Sequence, residues 1–432
     1  MRPGIARGRS LPRTRTVPPM PSFDWIGKQH VINHHKDVAF RFLKQNEKRS
    51  RAQGENLLIE GDNLDALKSL MPRYRGRVNC VYIDPPYNTG NEGWSYNDNV
   101  ASPQIKKWLG KVVDLEDLSR HDKWLCMMYP RLVLLRELLC PNGIMFVSID
   151  DNEQQNLKQI LNMVFGEQNF IATLVWNKKN SRSNDARHVS TNHEYVMVYC
   201  KKGDGEFRLN RIPRSEEQDS KYKNPDGDRR GPWITTALHA KSGKEKNNYE
   251  VTFPNGIKWK PPTGTYVRVS KERLLEMYGD NRIWFGKGGD NVPRYKRFLS
   301  EMCEGIITNT LLLPDDAGTT QQAKSDLRNV IKDVKFDNPK PVKLIKYLCR
   351  LATQKDDTVL DSFAGSGTTA QAVMELNAED GGSRKFILVE QEPAIARKVT
   401  CKRVARVAAR GGGDWLYILH GRQRAVRQER AN

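Results

Sequence analysis

TVLDSFAGSGTTAQAVMEL, residues 358–376, is the stretch that decides the predicted fold. Residues 358–360 are typical of a short buried strand, and residues 368–376 have the apolar spacing of a helix. Between them, Gly365 and Gly367 permit a tight turn and a close approach of the backbone to a ligand. An apolar run at 385–389 predicts a second strand. A strand, a crossover helix and a second strand at this spacing predict parallel pairing.

The same alternation occurs earlier in the chain, before a long polar segment interrupts it. Further strands are predicted at 57–60, 78–83 and 143–149, and further helices at 63–70, 123–139 and 341–353. Repeated crossovers of this kind predict an α/β fold. We therefore expect one doubly wound, mostly parallel sheet whose two halves are separated by an insert.

Composition restricts the function classes. The 432 residues carry 71 Lys and Arg against 51 Asp and Glu, a net charge of +20, which favours a polyanionic partner. The seven cysteines form no Cys-x-x-Cys pair, and no histidine stands at metal-ligand spacing, so we expect a reduced compartment and no metal site. Charged residues interrupt the longest apolar stretches, which predicts a soluble protein without a membrane span.

The changes in pattern predict five segments. A flexible basic arm, 1–50, precedes one half of the α/β domain, 51–176. A basic insert, 177–330, follows; its residues 177–300 hold 26 Lys and Arg against 15 Asp and Glu. The second half of the α/β domain is 331–410, and a tail, 411–432, ends the chain. The start of the arm also has the Arg-rich composition of a transit peptide, an alternative that the sequence leaves open.

Aromatic residues interleave with Lys and Arg in the insert, as in nucleic-acid-binding surfaces. They also suit a small aromatic core with a solvated basic face, so only the net charge points to function. These residues are Trp233, His239, Tyr249, Trp259, Tyr266, Trp284 and Phe285.

The sharpest motif is Asp84-Pro85-Pro86-Tyr87, directly after the predicted strand 78–83. Prolines have no N–H, so the Asp84 and Pro85 carbonyls and the Asp84 carboxylate form a cluster of acceptors only. Such a cluster suits a planar amino group held by both of its N–H bonds. The ring of Tyr87 offers a face on which a base can stack.

A second motif, Asp361 to Thr368, contains Phe363 and the two glycines and leads into a helix whose first turn Thr368 can help to satisfy. Glu390 ends the next predicted strand and can accept hydrogen bonds from both hydroxyls of a ribose. Ligands bind at the carboxyl ends of strands in open α/β sheets, so these residues predict a nucleoside cofactor site. The absence of a third glycine and of a Gly-Lys-Ser/Thr loop makes dinucleotides and ATP less expected.

Together, Asp84-Pro-Pro-Tyr87 and Phe363-Ala-Gly365-Ser-Gly367, in this order and around a basic insert, resemble the beta class of DNA amino-methyltransferases. Residues 84–99, 121–139, 293–301 and 338–390 resemble the modification subunits of type III restriction systems and their stand-alone relatives. The resemblance implies the methyltransferase fold, S-adenosyl-L-methionine as cofactor, adenine N6 as target and a target-recognition role for the insert.

The resemblance also assigns roles to residues. It implies that Asp84 and the Pro85-Pro86 backbone hold the target amine and that Tyr87 stacks the flipped base. It implies that Glu390 binds the ribose of the cofactor, that Lys340 faces its methionine end and that Asp62 lies near its adenine. The residues implied to line the cofactor pocket are Asp361, Phe363, Gly365, Gly367 and Thr368. For Asp62 an equally good alternative is an N-terminal helix residue.

Several alternatives remain at the level of sequence. Cytosine N4 has the same pocket chemistry, and a specificity subunit could bind DNA without turnover. An RNA or protein-glutamine methyltransferase more usually has Asn at position 84. Asp150-Asp151 suits a helix cap better than a metal site, and a structural role suits His193-Glu194-Tyr195 better than base contact. The expected partners are double-stranded DNA, a separate restriction subunit and a second copy of the chain, in a bacterial cytoplasm at the nucleoid.

Overall fold

A computed structural model describes residues 23–51, 54–90, 119–182, 188–203, 207–332, 334–411 and 414–420. The chain divides into two compact units. The larger comprises Met1–Arg208 and Thr310–Asn432, and the smaller is Leu209–Asn309. The first 22 residues of the predicted basic arm, with the transit-peptide alternative, and residues 421–432 of the predicted tail lie outside the described residues.

One ten-stranded sheet forms the larger unit, in the order β1-β17-β2-β16-β15-β3-β4-β6-β5-β14. Numbered along the whole chain, its strands are β1 (Leu43–Gln45), β2 (Leu57–Glu60), β3 (Val78–Ile83), β4 (Leu139–Ile149), β5 (Phe170–Asn177), β6 (His193–Cys200), β14 (Leu311–Leu312), β15 (Thr358–Asp361), β16 (Lys385–Glu390) and β17 (Leu416–His420). The pairs formed among β17, β2, β16, β15, β3 and β4 are parallel, whereas β6 is antiparallel to both β4 and β5. The predicted α/β, mostly parallel sheet is confirmed.

Helices cover both faces of this sheet. Alternate strand residues such as Val81 and Ile83 pack with the helices Asn63–Tyr74 and Arg120–Leu138 in one core cluster. Residues on the other face, such as Tyr82, are equally buried, and period-two alternation places them under the later helices. The helices of the larger unit are α1 (Lys28–Val31), α2 (His34–Asp37), α3 (Asn63–Tyr74), α4 (Arg120–Leu138), α5 (Gln154–Phe165), α8 (Pro314–Ala317), α9 (Thr320–Val330), α10 (Val342–Ala352), α11 (Thr368–Asp380), α12 (Pro393–Ile395) and α13 (Cys401–Gly411).

The structure corrects both predicted ends of the α/β domain. Residues 23–50 do not form a free arm, because Trp25 is buried in the core and β1 pairs with β17. Residues 416–420 of the predicted tail are strand β17, which lies parallel to β2. β1 is three residues long, two of them polar, and β17 is five residues long, so neither gives a periodic pattern long enough to separate it from its flanking loops.

The interruption of the sheet is shorter than the predicted insert, 177–330. Residues 193–200 are strand β6 of the main sheet, and α9 belongs to the larger unit. Both elements follow polar stretches, and β6 runs antiparallel to its neighbours. Neither therefore fits the predicted alternation of parallel strands and helices, although both belong to the α/β domain. The separate unit is Leu209–Asn309.

The smaller unit is a set of short antiparallel strands around its own core. Its sheet of three strands pairs β12 (Ile283–Trp284), β13 (Arg294–Phe298) and β7 (Trp233–Ala237). The remaining elements are α6 (Glu216–Asp219), β8 (His239–Ala240), β9 (Val251–Thr252), β10 (Lys258–Trp259), β11 (Tyr266–Val267) and α7 (Lys271–Gly279). Trp259 and Phe285 lie in this core, as the aromatic-core alternative predicts.

Within the described residues, no helix combines the length and the apolar character needed to cross a membrane. All seven cysteines are free thiols, and only Cys303 is exposed.

Candidate active site

The two predicted motifs meet at one edge of the main sheet. Strand β15 lies between β3 and β16, parallel to both. The carboxyl ends of these three strands therefore place Asp84, the loop after Asp361, and Glu390 side by side. Parallel pairing is what allows residues so far apart in the sequence to form one site.

Asp84 is held by a lysine from the second half of the domain. Lys340 Nζ donates to Asp84 Oδ1 at 2.7 Å and to Oδ2 at 2.8 Å. Burial raises the pKa of Asp84, and the Lys340 charge opposes that rise. Burial disfavours the Lys340 ammonium, but the carboxylates of Asp84 and Glu194 outweigh it and raise the lysine pKa. The pair is thus a partly buried ion pair that links the Asp84 motif to the segment just before α10.

The Pro85-Pro86-Tyr87-Asn88 turn is fixed from two helices. Trp124 Nε1, on α4, donates to the Pro86 carbonyl at 2.7 Å. Asn88 has a left-handed φ of 60°, and its amide donates to Glu153, which also bonds to His121 Nδ1 at 2.6 Å. The Pro86 carbonyl is therefore engaged by Trp124. Asp150 accepts from the Asn152 N–H at 2.9 Å, as the capping interpretation predicts.

Tyr87 is partly buried between Lys340 and strand β6. Its hydroxyl donates to Glu194 Oε2 at 3.0 Å, and the Lys340 Nζ lies 4.9 Å from its ring centroid. Glu194 also accepts from Lys178 Nζ at 3.0 Å. No chemical role for Glu194 was predicted from the sequence. The structure places it in the site because β6 pairs with β4, next to β3.

The glycine-rich loop is pinned by the carboxylate that begins it. Asp361 Oδ1 accepts from the Phe363 N–H at 3.0 Å, and Oδ2 accepts from Thr369 Oγ1 at 2.6 Å. Burial raises the Asp361 pKa to about 7, which these hydrogen bonds partly oppose. Asp361 is 2% exposed. Its observed role is therefore to hold the loop rather than to face a ligand.

Both glycines of the loop have left-handed φ angles, 49° at Gly365 and 77° at Gly367. A Cβ at Gly367 would lie 3.0 Å from Thr400 Cγ2, and one at Gly365 would lie 3.2 Å from Phe336 Cζ. Other residues would be strained at these φ values and would crowd their neighbours. Glycine is therefore required here for the close backbone approach that the motif predicts.

Thr368 faces inward and is the first residue of α11. Its hydroxyl donates to the Lys340 carbonyl at 3.2 Å and accepts from Arg403 Nη1 at 2.8 Å. The helix begins after Gly367 without a side-chain cap, so the predicted capping role of Thr368 is wrong. Arg403 is fully buried and also reaches Ser366 Oγ at 2.9 Å. Its position in a basic helix gave no sequence signal for this role.

Glu390 connects β16 to the glycine-rich loop. Its Oε2 accepts from the Gly365 N–H at 2.7 Å and its Oε1 from the Glu392 N–H at 2.9 Å. Burial raises the Glu390 pKa to about 7, and the backbone hydrogen bonds oppose the rise. Each carboxylate oxygen can accept a second hydrogen bond. These two acceptor oxygens therefore suit the two hydroxyl donors of a vicinal diol such as that of a ribose.

Asp62 caps helix α3. Its Oδ1 accepts from the Asp65 N–H at 3.0 Å, and Arg131 Nη2 lies 3.7 Å from its Oδ2. This is the helix N-terminal alternative that the sequence left open for Asp62. Phe363 is partly buried against the core cluster of the sheet.

Comparisons with known proteins agree on one family. A family model of the N6/N4 type, described as DNA methylase, matches residues 78–400. The chain is 34% identical, over 92% of its length, to the Mod subunit of the type III restriction-modification enzyme StyLTI of Salmonella typhimurium, and it covers 63% of that protein. It is 32% identical to the EcoPI Mod subunit of Escherichia phage P1, with 87% of this chain and 64% of that one covered. The chain thus spans less than two thirds of these relatives.

A type II methyltransferase, M.KpnI of Klebsiella pneumoniae, is 30% identical over 78% of this chain and 81% of its own length. Among solved structures, a DNA modification methylase of Thermus thermophilus in complex with S-adenosyl-L-methionine aligns with a TM-score of 0.41 and 17% identity. That alignment covers 85% of this chain and 99% of the other.

Proposed function

Because this chain belongs to the N6/N4 DNA methylase family, we propose that it methylates the N6 amine of adenine in duplex DNA, using S-adenosyl-L-methionine. The observation that carries the proposal is the joining of the Asp84 motif to the glycine-rich loop through Lys340. Acceptors for an amine and the glycine-rich loop then lie together at the carboxyl ends of the same strands. The choice of adenine rests on Asp as the first residue of the motif.

S-adenosyl-L-methionine supplies an activated methyl group when bound, and the residues of the chain prepare the amine. The lone pair of an exocyclic amine is delocalised into its ring, which makes the amine a weak nucleophile. Asp84 and the Pro85 carbonyl accept its two N–H bonds and draw them out of the ring plane, so that the lone pair becomes available. The Tyr87 ring stacks the base, which must leave the duplex at a cost of a few kcal/mol.

The cofactor fits the loop through Glu390 and the two glycines. Only the ionised carboxylate of Glu390 accepts both ribose hydroxyls. Its pKa is about 7, so we predict that cofactor affinity rises about tenfold between pH 6 and pH 8 as the carboxylate ionises. Equilibrium binding of S-adenosyl-L-methionine across this range checks the prediction.

The Glu390→Gln variant is the control for this pH dependence. It should bind the cofactor more weakly and with a flatter pH profile. Any remaining dependence of cofactor affinity on pH is then due to Asp361, whose pKa burial also raises to about 7 and which holds the same loop. A wild-type affinity that falls between pH 6 and pH 8 would contradict the role of Glu390.

DNA binding is assigned to the smaller unit. Several of its basic groups are neutralised internally, among them Arg230 by Asp228 and Lys296 by Asp226. The exposed lysines 241, 244 and 246 remain for phosphate contacts. We predict that DNA affinity falls steeply with salt. Changing these three lysines to glutamine should lower the slope of log affinity against log salt by about 1 for each phosphate that the variant no longer neutralises.

Lysines 44, 48 and 355, exposed in the larger unit, provide the matched control for that measurement. Their triple change to glutamine should leave the salt slope unchanged. A flat salt dependence of the wild-type chain, or an equal effect of both triple variants, would argue against the assignment of DNA binding to the smaller unit.

Methyl transfer from labelled S-adenosyl-L-methionine tests the proposed activity. Unmethylated duplex DNA should incorporate the label, whereas RNA and bulk protein should not. Label in RNA alone would replace DNA by RNA as the substrate. Cofactor binding without transfer to any of the three would favour the alternative of a DNA-binding subunit without turnover.

The finer proposal concerns the biological context. The similarity to Mod subunits supports a modification role within a restriction-modification system, with a separate restriction subunit and a second copy of this chain as partners. Sedimentation of the purified chain tests the dimer, and co-purification with a restriction subunit produced in the same cells tests the other partner.

A further inference from the structure

Lys340 already engages the carboxylate that has to hold the target amine. Its Nζ lies 2.7 and 2.8 Å from the two oxygens of Asp84, in front of both. An amine nitrogen held by Asp84 must lie about 2.9 Å from one of the same oxygens. Each oxygen can accept a second hydrogen bond, but two donors on one oxygen weaken each other, so Asp84 holds the amine best when Lys340 moves away from the oxygen that the amine uses.

A lysine that leaves Asp84 needs another acceptor. The Lys340 side chain is 10% exposed, and an unpaired ammonium in such a position is strongly disfavoured. Asp84 and Glu194 are the two carboxylates within ion-pair distance of Lys340 among the described residues. Glu194 Oε2 lies 3.4 Å from Nζ, so a shift of less than about 1 Å forms a full hydrogen bond.

Glu194 is itself fixed and cannot follow the lysine. It lies on β6, and its side chain is 12% exposed. Lys178 Nζ donates to its Oε1, and the Tyr87 hydroxyl donates to its Oε2, each at 3.0 Å. The lysine therefore moves toward a stationary carboxylate that also holds the predicted stacking ring.

We propose that Glu194 is a positioning residue for methyl transfer: it receives the Lys340 ammonium while the target amine takes the place of that ammonium on Asp84. This inference rests on the proposed function. With glutamine at position 194, Asp84 is the one carboxylate left within reach of Lys340 in the described part of the chain. The lysine then stays on Asp84 and opposes entry of the amine.

The first test is Glu194→Gln in the full chain, assayed with duplex DNA at saturating S-adenosyl-L-methionine. The expected result is a kcat at least about 30-fold lower, with cofactor Kd and DNA Kd within about threefold of the wild type, because the missing interaction acts on the transfer step. A kcat within threefold of the wild type would overturn the proposal. A wild-type chain without activity would instead contradict the proposed function.

The second test separates positioning from loss of structure. In Glu194→Gln/Lys340→Met the competing ammonium is gone, so this double variant should be about tenfold faster than Glu194→Gln alone. A merely structural role predicts a double variant slower than either single variant, which would refute the inference. Tyr87→Phe removes the hydroxyl that donates to Glu194; a loss equal to that of Glu194→Gln, without rescue in the double variant, would also refute it.

Discussion

Replacing Asp84 with alanine is expected to lower methyl transfer about 100- to 1,000-fold, the scale of losing one polar group aimed at the reacting centre. Asp84 is the only residue of its motif that offers a charged acceptor, and the Pro86 carbonyl is already engaged by Trp124 at 2.7 Å. The Pro85 carbonyl alone cannot hold both N–H bonds. The variant should keep its fold because Lys340 still has Glu194, 3.4 Å away.

The measurements are kcat in a labelled-methyl assay and DNA affinity at fixed salt. DNA affinity should change by less than about threefold, since phosphate contacts provide most of it. Asp150→Ala is the matched control, because Asp150 directly follows β4 as Asp84 follows β3. It removes a turn cap worth about 1 kcal/mol of stability and should retain activity within about threefold. Near-normal transfer by Asp84→Ala would refute the proposed mechanism.

Replacing Gly367 with alanine is expected to weaken cofactor binding at least about tenfold. The backbone at Gly367 has a φ of 77°, and a Cβ there would meet Thr400 Cγ2 at 3.0 Å and its Cα at 3.5 Å. The left-handed φ costs about 1–2 kcal/mol for alanine, and the contact with Thr400 pushes the loop away from the position that Glu390 and Asp361 fix. Gly367→Trp extends the same displacement and should abolish cofactor binding.

Gly381→Ala isolates the effect of the strained backbone from that of the contact. Gly381 has a φ of 67°, and a Cβ there would meet nothing within 4 Å. Its variant should lose stability but keep the cofactor affinity of the wild type. Isothermal titration with S-adenosyl-L-methionine compares the variants. Equal losses in the two alanine variants, or unchanged affinity in Gly367→Trp, would show that the loop does not form the cofactor site.

The central strands were predictable because their sequences carry local signals. Residues 78–83 form an apolar run closed by Asp84-Pro85-Pro86, and the structure has β3 at these positions. The parallel neighbours β15 and β16 follow from the strand, glycine turn and helix at 358–376. Periodicity did not predict β1 or β17, since each is short and is stabilised by pairing with a segment more than 350 residues away.

The supporting residues of the site were not predictable for a related reason. Glu194 reaches Tyr87 across 107 positions, and Trp124 reaches Pro86 across 38. Glu153 lies in the sequence Asp150-Asp151-Asn152-Glu153, which is typical of a helix start. Arg403 lies in a sequence typical of the solvated face of a basic helix. A hydrogen bond between distant segments depends on the order of strands in the sheet, for which a single sequence has no local pattern.

The most direct test of the proposed activity is identification of the methylated nucleoside. The purified chain is incubated with unmethylated genomic DNA and labelled S-adenosyl-L-methionine, the DNA is digested, and the nucleosides are identified by mass spectrometry. We expect label in N6-methyladenine, absent with Asp84→Ala and retained with Asp150→Ala. Label in N4-methylcytosine would contradict the choice of base, and DNA without label, despite measured cofactor binding, would contradict the proposed activity.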